Sequence, residues 1–283
     1  MAELLKGAPV AGEIKEALKE ELQNIPKALG LGLIRMGSNA DDISYEKSIT
    51  KQAGEIGIKT TTIEIPSDIS VQDTKSLMEG LNNDSSLDGI LIFRPMLNPE
   101  VEETIRRTLD PSKDVDGITS ASMSKQYSGL GPGFNPCTAE ACMRILEYYG
   151  VSLEGKEVVV IGRSQVIGKP LAMMMLGKNA TVTICHSKSE NLEQTVKQAD
   201  IVVAAIGKDR FIDGKYLSEG QVVVDVGINF DHEGSLHGDV DFQVAKDIVK
   251  SITPVPGGVG SVTTALLFVH TLEASMRRRE IGE

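Results

Sequence analysis

The chain has 283 residues, of which 41% are hydrophobic and 24% charged, a composition typical of a globular protein with room for two domains. Its formal net charge of -11 argues against a nucleic-acid-binding protein, which usually carries a basic face. The three cysteines form no CxxC pair and the histidines no HExxH spacing, so we expect neither a disulfide framework nor a metal site. The N-terminus does not resemble a signal peptide and no stretch is long and apolar enough to span a membrane, so we expect a cytoplasmic protein.

Strands and helices alternate over the first part of the chain. Apolar spacing predicts helices over 10–25, 40–57, 73–83 and 100–109, and strands over 31–37, 59–66 and 88–93. Such alternation predicts a parallel sheet with helices on its faces. Residues 111–137 then form a long stretch that is rich in Gly, Pro and Ser. We place a domain boundary near it, because a loop of this length is usually functional or connects domains.

A second block of alternating elements follows a linking helix predicted over 138–150. Its predicted strands are 156–162, 180–186, 200–207, 221–228 and 251–255, and its predicted helices are 169–178, 192–199 and 262–279. The fold class is therefore predicted to be α/β, with two α/β domains. The C-terminal domain is predicted to be a Rossmann-like, doubly wound parallel sheet.

The string "VVVIGRSQVIGKP", residues 158–170, follows a strand and opens a helix. A dinucleotide pyrophosphate binds to backbone N–H groups at such a turn. The spacing Gly162-x-Ser164-x-x-x-Gly168 departs from GxGxxG, so an ordinary strand–helix turn remains the alternative. Three later strands also end in small or polar residues. Since ligands bind outside the carboxyl ends of parallel strands, Gly207, Gly227 and Ile228 are predicted to line the cofactor groove.

The end of the second strand of this block favours NADP over NAD. NAD-specific folds place an acidic residue there for the ribose 2′-hydroxyl, whereas here no acidic residue occurs before Glu190. Arg163, Ser187 and Lys188 could instead meet a 2′-phosphate. The alternative is that they are solvated loop residues, which is the simpler interpretation of Lys188 taken alone.

Two further strings stand in predicted loops. "TPVPGGVGSVT", residues 253–263, combines backbone-fixing prolines with glycines that permit close approach to a flat ligand. "KDVDGI", residues 113–118, places Asp114 and Asp116 in the long loop. An Asp-Gly step is commonly only a turn, and spacing alone favours that interpretation.

Taken together, "PVPGGVG", "KDVDG", "NPCT", "IGRSQVIGKP" and "VDVGIN" resemble the methylenetetrahydrofolate dehydrogenase/methenyltetrahydrofolate cyclohydrolase family, the FolD family. The motifs occur in the family's order over nearly the whole chain, and their combination is far more specific than any one of them. The resemblance implies a folate-binding catalytic domain over 1–135, onto which a C-terminal helix of about 265–283 packs back, and an NADP-binding domain over 136–264. It also implies a folate site in a cleft between two α/β domains, and a homodimer.

The resemblance implies two reactions of one-carbon metabolism at one folate site. A hydride passes from 5,10-methylenetetrahydrofolate to NADP, and water then opens the methenyl product to 10-formyltetrahydrofolate. Matching the family's motifs residue by residue, Tyr45 stacks on the folate, Asp116 holds the pterin, and Gly257 and Gly258 line the cleft. The cofactor contacts that the resemblance implies are Gly162, Arg163, Ser164, Ser187 and Ile228. Gly168, Gly207 and Gly227 are predicted cofactor residues from their places in the glycine turn and at the strand ends.

Four positions depart from the family pattern. Ile49 stands in place of the active-site lysine and Phe93 in place of a glutamine, while Ser261 and Ala139 replace prolines. Hydride transfer needs mainly a well-placed donor carbon. Hydrolysis must also move protons, and positioned acid–base help is typically worth ~10²–10⁴-fold.

We therefore expect dehydrogenase activity to persist and cyclohydrolase activity to be weak or absent. Isoleucine cannot move a proton. Lys47 and Lys51 each lie two residues from Ile49, on roughly the opposite side of the helix, so neither substitutes for the missing lysine.

The sequence leaves three alternatives open. The first is a fully bifunctional enzyme in which another group moves the proton. The second is a non-catalytic folate or dinucleotide binder. The third is a dehydrogenase of another small molecule, because Phe93 makes the pocket more apolar and Arg94 could bind an anion.

Overall fold

The computed structural model describes residues 1–231 and 233–281. Within these the chain forms two compact units. The first unit comprises Met1–Glu13 and Thr138–Thr263, and the second comprises Ile14–Cys137 and the C-terminal segment from Thr264. The described strands are β1 (Glu3–Leu4), β2 (Gly30–Met36), β3 (Lys59–Ile65), β4 (Gly89–Ile92), β5 (Glu157–Ile161), β6 (Thr181–Cys185), β7 (Ile201–Ala204), β8 (Val222–Asp225), β9 (Asn229–Phe230), β10 (Leu236–His237) and β11 (Ser251–Ile252).

Helices follow most of the strands. The described helices are α1 (Gly7–Leu22), α2 (Ala40–Ile56), α3 (Val71–Asn83), α4 (Pro99–Thr108), α5 (Ser120–Ser128), α6 (Cys137–Tyr148), α7 (Gly168–Leu176), α8 (Leu192–Lys197), α9 (Phe242–Ala245) and α10 (Val259–Ile281). Of these, α1, α6 and α10 continue along the chain from one unit into the other. None of the helices in the described ranges is both long and apolar enough to cross a membrane.

The first unit contains a six-stranded sheet in the order β1-β11-β8-β7-β5-β6. Its strand pairs are all parallel. The chain leaves β5 for β6 on one side and then returns to β7 on the other, so the winding direction reverses at β5. This is the predicted doubly wound arrangement, and it places a topological switch point at the carboxyl end of β5.

Parallel pairing brings the carboxyl ends of β5, β6, β7 and β8 to one edge of this sheet. Ile161 pairs with both Cys185 and Ala204, and Ala204 pairs with Asp225. The interiors of β5, β7 and β8 are buried runs of valine and isoleucine, as expected for strands that are covered on both faces, whereas the edge strand β6 is partly exposed. The turns that follow these four strands therefore lie side by side.

The N-terminal residues belong to this unit, which differs from the predicted first domain of 1–135. Strand β1 pairs in parallel with β11, through Glu3 with Ser251 and Leu4 with Ile252, and Leu5 is fully buried. Two paired residues are too few to show a strand period in the sequence. The pairing depends on β11, nearly 250 residues away along the chain, and a local pattern carries no information about it.

The second unit contains a three-stranded parallel sheet in the order β3-β2-β4. The central strand β2 is almost entirely buried. One apolar core forms between this sheet and helices α3 and α4, with Ile34, Met78, Ile92 and Ile105 among its members. The carboxyl ends of β2 and β4 lead into α2 and into the segment that begins at Phe93.

The long segment 111–137 contains a helix that was not predicted. Helix α5 begins after the N-cap Thr119, whose hydroxyl accepts a hydrogen bond from Ser122 N, and ends at Gly129 with φ 74°. These are ordinary start and stop signals. The serine-rich sequence between them has too weak an apolar stripe to have indicated a helix.

Asp114 fixes the start of this segment. Its side chain is fully buried and accepts hydrogen bonds from Ile118 N at 2.9 Å and from Thr119 N at 2.8 Å. The hydroxyls of Thr119 and Ser122 donate to the same carboxylate at 2.7 Å and 2.6 Å. The Asp-Gly step does form a turn, since Gly117 N donates to the Asp114 carbonyl oxygen at 3.2 Å. The Asp114 side chain adds a second role as a buried acceptor for the residues after this turn and for the start of α5.

We expect Asp114→Ala to lower the free energy of unfolding by about 3 kcal/mol, because it leaves several buried donors without an acceptor. Denaturant unfolding measures the change. The exposed Asp68 offers a matched control, and Asp68→Ala should change stability by less than about 0.5 kcal/mol. Equal effects of the two substitutions would contradict the assigned role of Asp114.

Candidate active site and cofactor site

Gly162 forms the turn that follows β5 at the switch point. Its φ is 138°, and a Cβ at this position would lie 2.2 Å from the carbonyl oxygen of Ala205. A Cβ on Gly168, the first residue of α7, would in turn lie 2.1 Å from the Gly162 carbonyl oxygen. The turn therefore requires glycine at both positions. A bare backbone followed by a helix N-terminus fits a dinucleotide pyrophosphate.

Ser164 shapes the same turn, and the side chain of Arg163 points into solvent beside it. The Ser164 hydroxyl accepts a hydrogen bond from Ile167 N at 3.0 Å, just before α7 begins. Both Arg163 and Ser164 are exposed. They are thus available to a ligand at this edge of the sheet.

The turn after β6 carries the residues predicted to select the cofactor. Ser187 and Lys188 are exposed, and the turn is closed by a hydrogen bond from His186 N to the Ser189 hydroxyl at 2.9 Å. Gly162 N donates to the carbonyl oxygen of Cys185 at 2.9 Å, so this turn begins next to the glycine turn. The arrangement offers a hydroxyl and cations where an NAD-specific fold offers an acidic side chain.

Gly227 and Ile228 follow β8 at the same edge. Ile228 is 64% exposed, whereas Gly227 is buried and a Cβ there would lie 2.3 Å from the Asp239 carboxyl carbon. This close approach explains why residue 227 is glycine. A role of Gly227 in lining the groove remains a prediction.

Asp225 ends β8 as a buried carboxylate that sequence reasoning missed. It accepts hydrogen bonds from the backbone N–H groups of Gly227, Asp239 and Val240 at 2.9–3.0 Å. Burial raises the pKa of Asp225 to about 7, and the three N–H donors act in the opposite direction. The signal in the sequence was an acidic residue at the end of a strand that is otherwise entirely apolar.

Tyr45 and Phe93 form an aromatic pair in the second unit. Tyr45 lies on α2 and Phe93 directly follows β4, and their ring centroids are 5.6 Å apart in an edge-to-face arrangement. Phe93 is 6% exposed and Tyr45 40%. Desolvation raises the pKa of Tyr45 to about 12, while a hydrogen bond with the Thr264 side chain lowers it. Tyr45 therefore keeps surface for a ligand, and its hydroxyl stays protonated at neutral pH.

Ile49 lies one helical turn after Tyr45 and is fully buried. It belongs to the inner face of α2 together with Ala53 and Ile56. Lys47 and Lys51 are both exposed, as their positions on the helix predict. The inner face of this helix thus presents an aliphatic side chain where the family pattern has a lysine.

Asp116 makes an ion pair that the sequence did not predict. Arg94 Nη2 donates to Asp116 Oδ2 at 2.9 Å, and Cys137 N donates to Oδ1 at 3.2 Å. The Arg94 and Asp116 side chains are 18% and 19% exposed. Asp116 is therefore a held, partly open carboxylate, whereas Asp114 two residues earlier is wholly structural.

Gly257 and Gly258 lie in the first unit, in the turn between β11 and α10. Gly257 has φ 99°, and its carbonyl oxygen accepts a hydrogen bond from Gly7 N at 2.8 Å. A Cβ on Gly258 would lie 2.5 Å from the Pro254 carbonyl oxygen. Both glycines are therefore explained by backbone geometry, and their contact with substrate remains a prediction.

The two units divide the predicted site residues between them. Tyr45, Ile49, Phe93 and Asp116 lie in the second unit. Gly162, Arg163, Ser164, Gly168, Ser187, Gly207, Gly227, Ile228, Gly257 and Gly258 lie in the first. Within the described part of the chain, no group of three or more His, Cys, Asp or Glu side chains is arranged to hold a metal ion.

Two family models match the chain. Residues 5–116 match the catalytic domain of tetrahydrofolate dehydrogenase/cyclohydrolase, and residues 136–279 match the NAD(P)-binding domain of the same family. The "Bifunctional protein FolD" of Alkaliphilus oremlandii is 45% identical over 99% of this chain and 100% of its own length. That of Clostridium botulinum (strain Langeland) is 47% identical over 98% of this chain and 99% of its own.

Solved structures show the same likeness. The FolD methylenetetrahydrofolate dehydrogenase/cyclohydrolase of Campylobacter jejuni has a TM-score of 0.93 and 37% identity, with 98% of this chain and 100% of that chain covered. The Trypanosoma brucei FolD enzyme, solved with NADP and an inhibitor, has a TM-score of 0.91 and 31% identity, with 98% of each chain covered.

These matches confirm the predicted α/β fold class and the predicted nicotinamide dinucleotide cofactor. The chain belongs to the tetrahydrofolate dehydrogenase/cyclohydrolase family.

Proposed function

We propose that this protein oxidises 5,10-methylenetetrahydrofolate to 5,10-methenyltetrahydrofolate with NADP, and that its cyclohydrolase activity is weak or absent. One observation carries the second part: Ile49 is fully buried in the position of the family's lysine, behind a tyrosine that packs against Phe93. The first part is supported by family membership and by a glycine turn that fits a dinucleotide.

Hydride transfer requires little acid–base catalysis by the protein. When bound, NADP accepts the hydride, that is, one proton with two electrons, from the methylene carbon of the folate. The carbon that loses the hydride becomes part of a methenyl cation, so no other proton has to move. The protein's task is to hold the donor carbon in place, and the Tyr45 ring and the Asp116 carboxylate are the groups that we assign to it.

Tyr45 is suited to stacking and not to proton removal. Its pKa of about 12 leaves the phenol neutral at physiological pH. The edge-to-face contact with Phe93 fixes the ring orientation. We therefore assign Tyr45 a substrate-positioning role.

The hydrolytic step makes a different demand. Water adds to the methenyl carbon and releases a proton, and the amidine-like ring must then open to the formyl product. A nearby group has to accept and return protons at neutral pH. Isoleucine and phenylalanine now occupy the two family positions that carry a lysine and a glutamine, and neither has a proton to exchange.

A fully bifunctional enzyme is the second candidate. The names of the relatives from Alkaliphilus and Clostridium favour it, since both are called bifunctional. In that case the proton would have to move through a group other than residue 49. A non-catalytic folate or dinucleotide binder is the third candidate, and it predicts no NADPH formation from methylenetetrahydrofolate.

The quaternary and cellular settings are part of the proposal. A homodimer is supported by the resemblance to the family, and light scattering of the purified protein tests it, with a monomer as the contradicting result.

A cytoplasmic location is supported by three cysteines that are buried as thiols. Fractionation of cells that express the protein tests this location.

The first prediction from the proposed function concerns hydrolysis of supplied methenyltetrahydrofolate. We expect the wild-type protein to accelerate it by less than about twofold over the uncatalysed rate, because no group at residue 49 moves a proton. The double variant Ile49→Lys/Phe93→Gln should raise the rate by ~10-fold or more. Loss of the methenyl absorbance follows the reaction.

The matched control is Ile49→Met, which has the length of the lysine stem without its amine. It should leave hydrolysis at the wild-type level and dehydrogenase activity within about threefold, since the swap keeps an apolar side chain of similar volume in the core. Robust hydrolysis by the wild-type protein would overturn the proposal in favour of the bifunctional enzyme.

The second prediction concerns cofactor choice. We expect the double variant Arg163→Ala/Lys188→Ala to lower kcat/KM for NADP by about tenfold and to leave that for NAD nearly unchanged, because we assign the removed cations to the 2′-phosphate, which NAD lacks. Lys178 is an exposed lysine before β6, at the opposite end of the strand from Lys188, and Lys178→Ala serves as the control. Equal losses with NADP and NAD would contradict this assignment.

A further inference from the structure

Asp239 is a second buried carboxylate at the cofactor edge of the first unit, and no step of the proposed reaction uses it. Asp239 is fully buried, although it follows the short strand β10 in an irregular segment. A buried acidic side chain needs several donors to offset its lost hydration. In the described residues these donors come almost entirely from the turn after β7.

The Asp239 carboxylate accepts hydrogen bonds from three consecutive backbone N–H groups. Ile206 N and Gly207 N donate to Oδ2 at 2.5 Å and 3.0 Å, and Lys208 N donates to Oδ1 at 2.9 Å. Three successive amides that point at one carboxylate fix the course of this turn. Gly207, with φ 71°, supplies the backbone conformation that the turn requires.

The same carboxylate also holds the segment that follows β8. The side-chain amide of Asn229 donates to Oδ1 at 3.0 Å. Gly227 approaches so closely that a Cβ there would lie 2.3 Å from the carboxyl oxygen Oδ1. One side chain therefore ties together the turns after two neighbouring strands.

The held turn is next to the glycine turn. Ala205, which immediately precedes the three amides, presents its carbonyl oxygen to Gly162 at a distance that leaves no room for a Cβ. A shift of residues 206–208 would thus be transmitted to the turn that we assign to the pyrophosphate. The backbone of Asp239 is itself held in place, because its N–H donates a hydrogen bond to Asp225 Oδ1 at 2.9 Å.

We propose that Asp239 is a positioning residue for NADP, which holds the turns after β7 and β8 in the conformation that receives the cofactor. This inference rests on the proposed function, in which NADP binds at this edge. Asp239 acts through Ile206, Gly207 and Lys208 and needs no contact with the cofactor itself.

The test is isothermal titration of NADP into the full-length protein and its Asp239→Asn variant. Asparagine keeps the shape of aspartate but replaces one carboxylate oxygen by an NH₂ group. At least one backbone N–H of the turn therefore loses its acceptor and faces another N–H donor. We expect the Kd for NADP to rise by about tenfold or more. KM for methylenetetrahydrofolate at saturating NADP should stay within about twofold.

Asp241→Ala is the matched control. Asp241 lies two residues away and caps the short helix α9 by accepting a hydrogen bond from Val244 N, whereas the amides of residues 206–208 donate to Asp239. Its replacement should lower stability and leave the Kd for NADP within about twofold. An unchanged Kd in Asp239→Asn, or an equal rise in both variants, would overturn the inference.

Hydrogen exchange of the wild-type protein without NADP gives an independent readout. The amides of residues 206–208 should exchange as slowly as those of β7, and should exchange faster in Asp239→Asn while β7 stays protected. Exchange of these amides at the rate of an exposed loop in the wild type would overturn the inference even if the variant does not fold. Failure of the wild type to bind NADP would instead count against the proposed function.

Discussion

Buried carboxylates hold the loops on which the candidate site depends. A parallel sheet places the turns after neighbouring strands at one edge, but the backbone N–H groups of those turns have no partners in the sheet. In the first unit Asp225 and Asp239 accept them, and in the second unit Asp114 does. Each carboxylate is buried and therefore cannot move without losing several hydrogen bonds at once. In the first unit the turns after β7 and β8, which carry Gly207, Gly227 and Ile228, are therefore held by buried carboxylates.

Against this fixed background, the change at residue 49 has a narrow chemical consequence. Tyr45 is oriented by Phe93 and Asp116 by Arg94, so under our proposal the substrate is still positioned. The inner face of α2 at residue 49 is aliphatic, so we propose that proton transfer is lost. Two reactions that share one substrate site would make different demands on it, and in this proposal only the demand of the second is left unmet. The Arg94–Asp116 pair also shows that Arg94 serves a protein carboxylate, which weakens the interpretation of Arg94 as an anion site for another substrate.

Local sequence patterns predicted the features that depend on residues close together in the chain. Strand and helix alternation, the glycine turn at Gly162 and the position of Ile49 on the side of α2 away from Lys47 and Lys51 follow from periodicity and from the geometry of glycine. The pairing of β1 with β11, the partner of Asp116 and the donors around Asp239 depend on residues far away along the chain, and no local pattern encodes them. Asp114 and Asp116 illustrate the limit: two residues apart in one motif, they differ in burial and role because only the fold decides which carboxylate faces the interior.

The central claim is that oxidation and hydrolysis have separated in this protein, and the product balance of a single reaction tests it most directly. Purified protein is mixed with methylenetetrahydrofolate and excess NADP under conditions in which uncatalysed hydrolysis is slow, and NADPH, methenyltetrahydrofolate and 10-formyltetrahydrofolate are quantified together. The account predicts that NADPH and methenyltetrahydrofolate accumulate in equal amounts. Formation of 10-formyltetrahydrofolate in step with NADPH, at a rate set by the enzyme concentration, would contradict it.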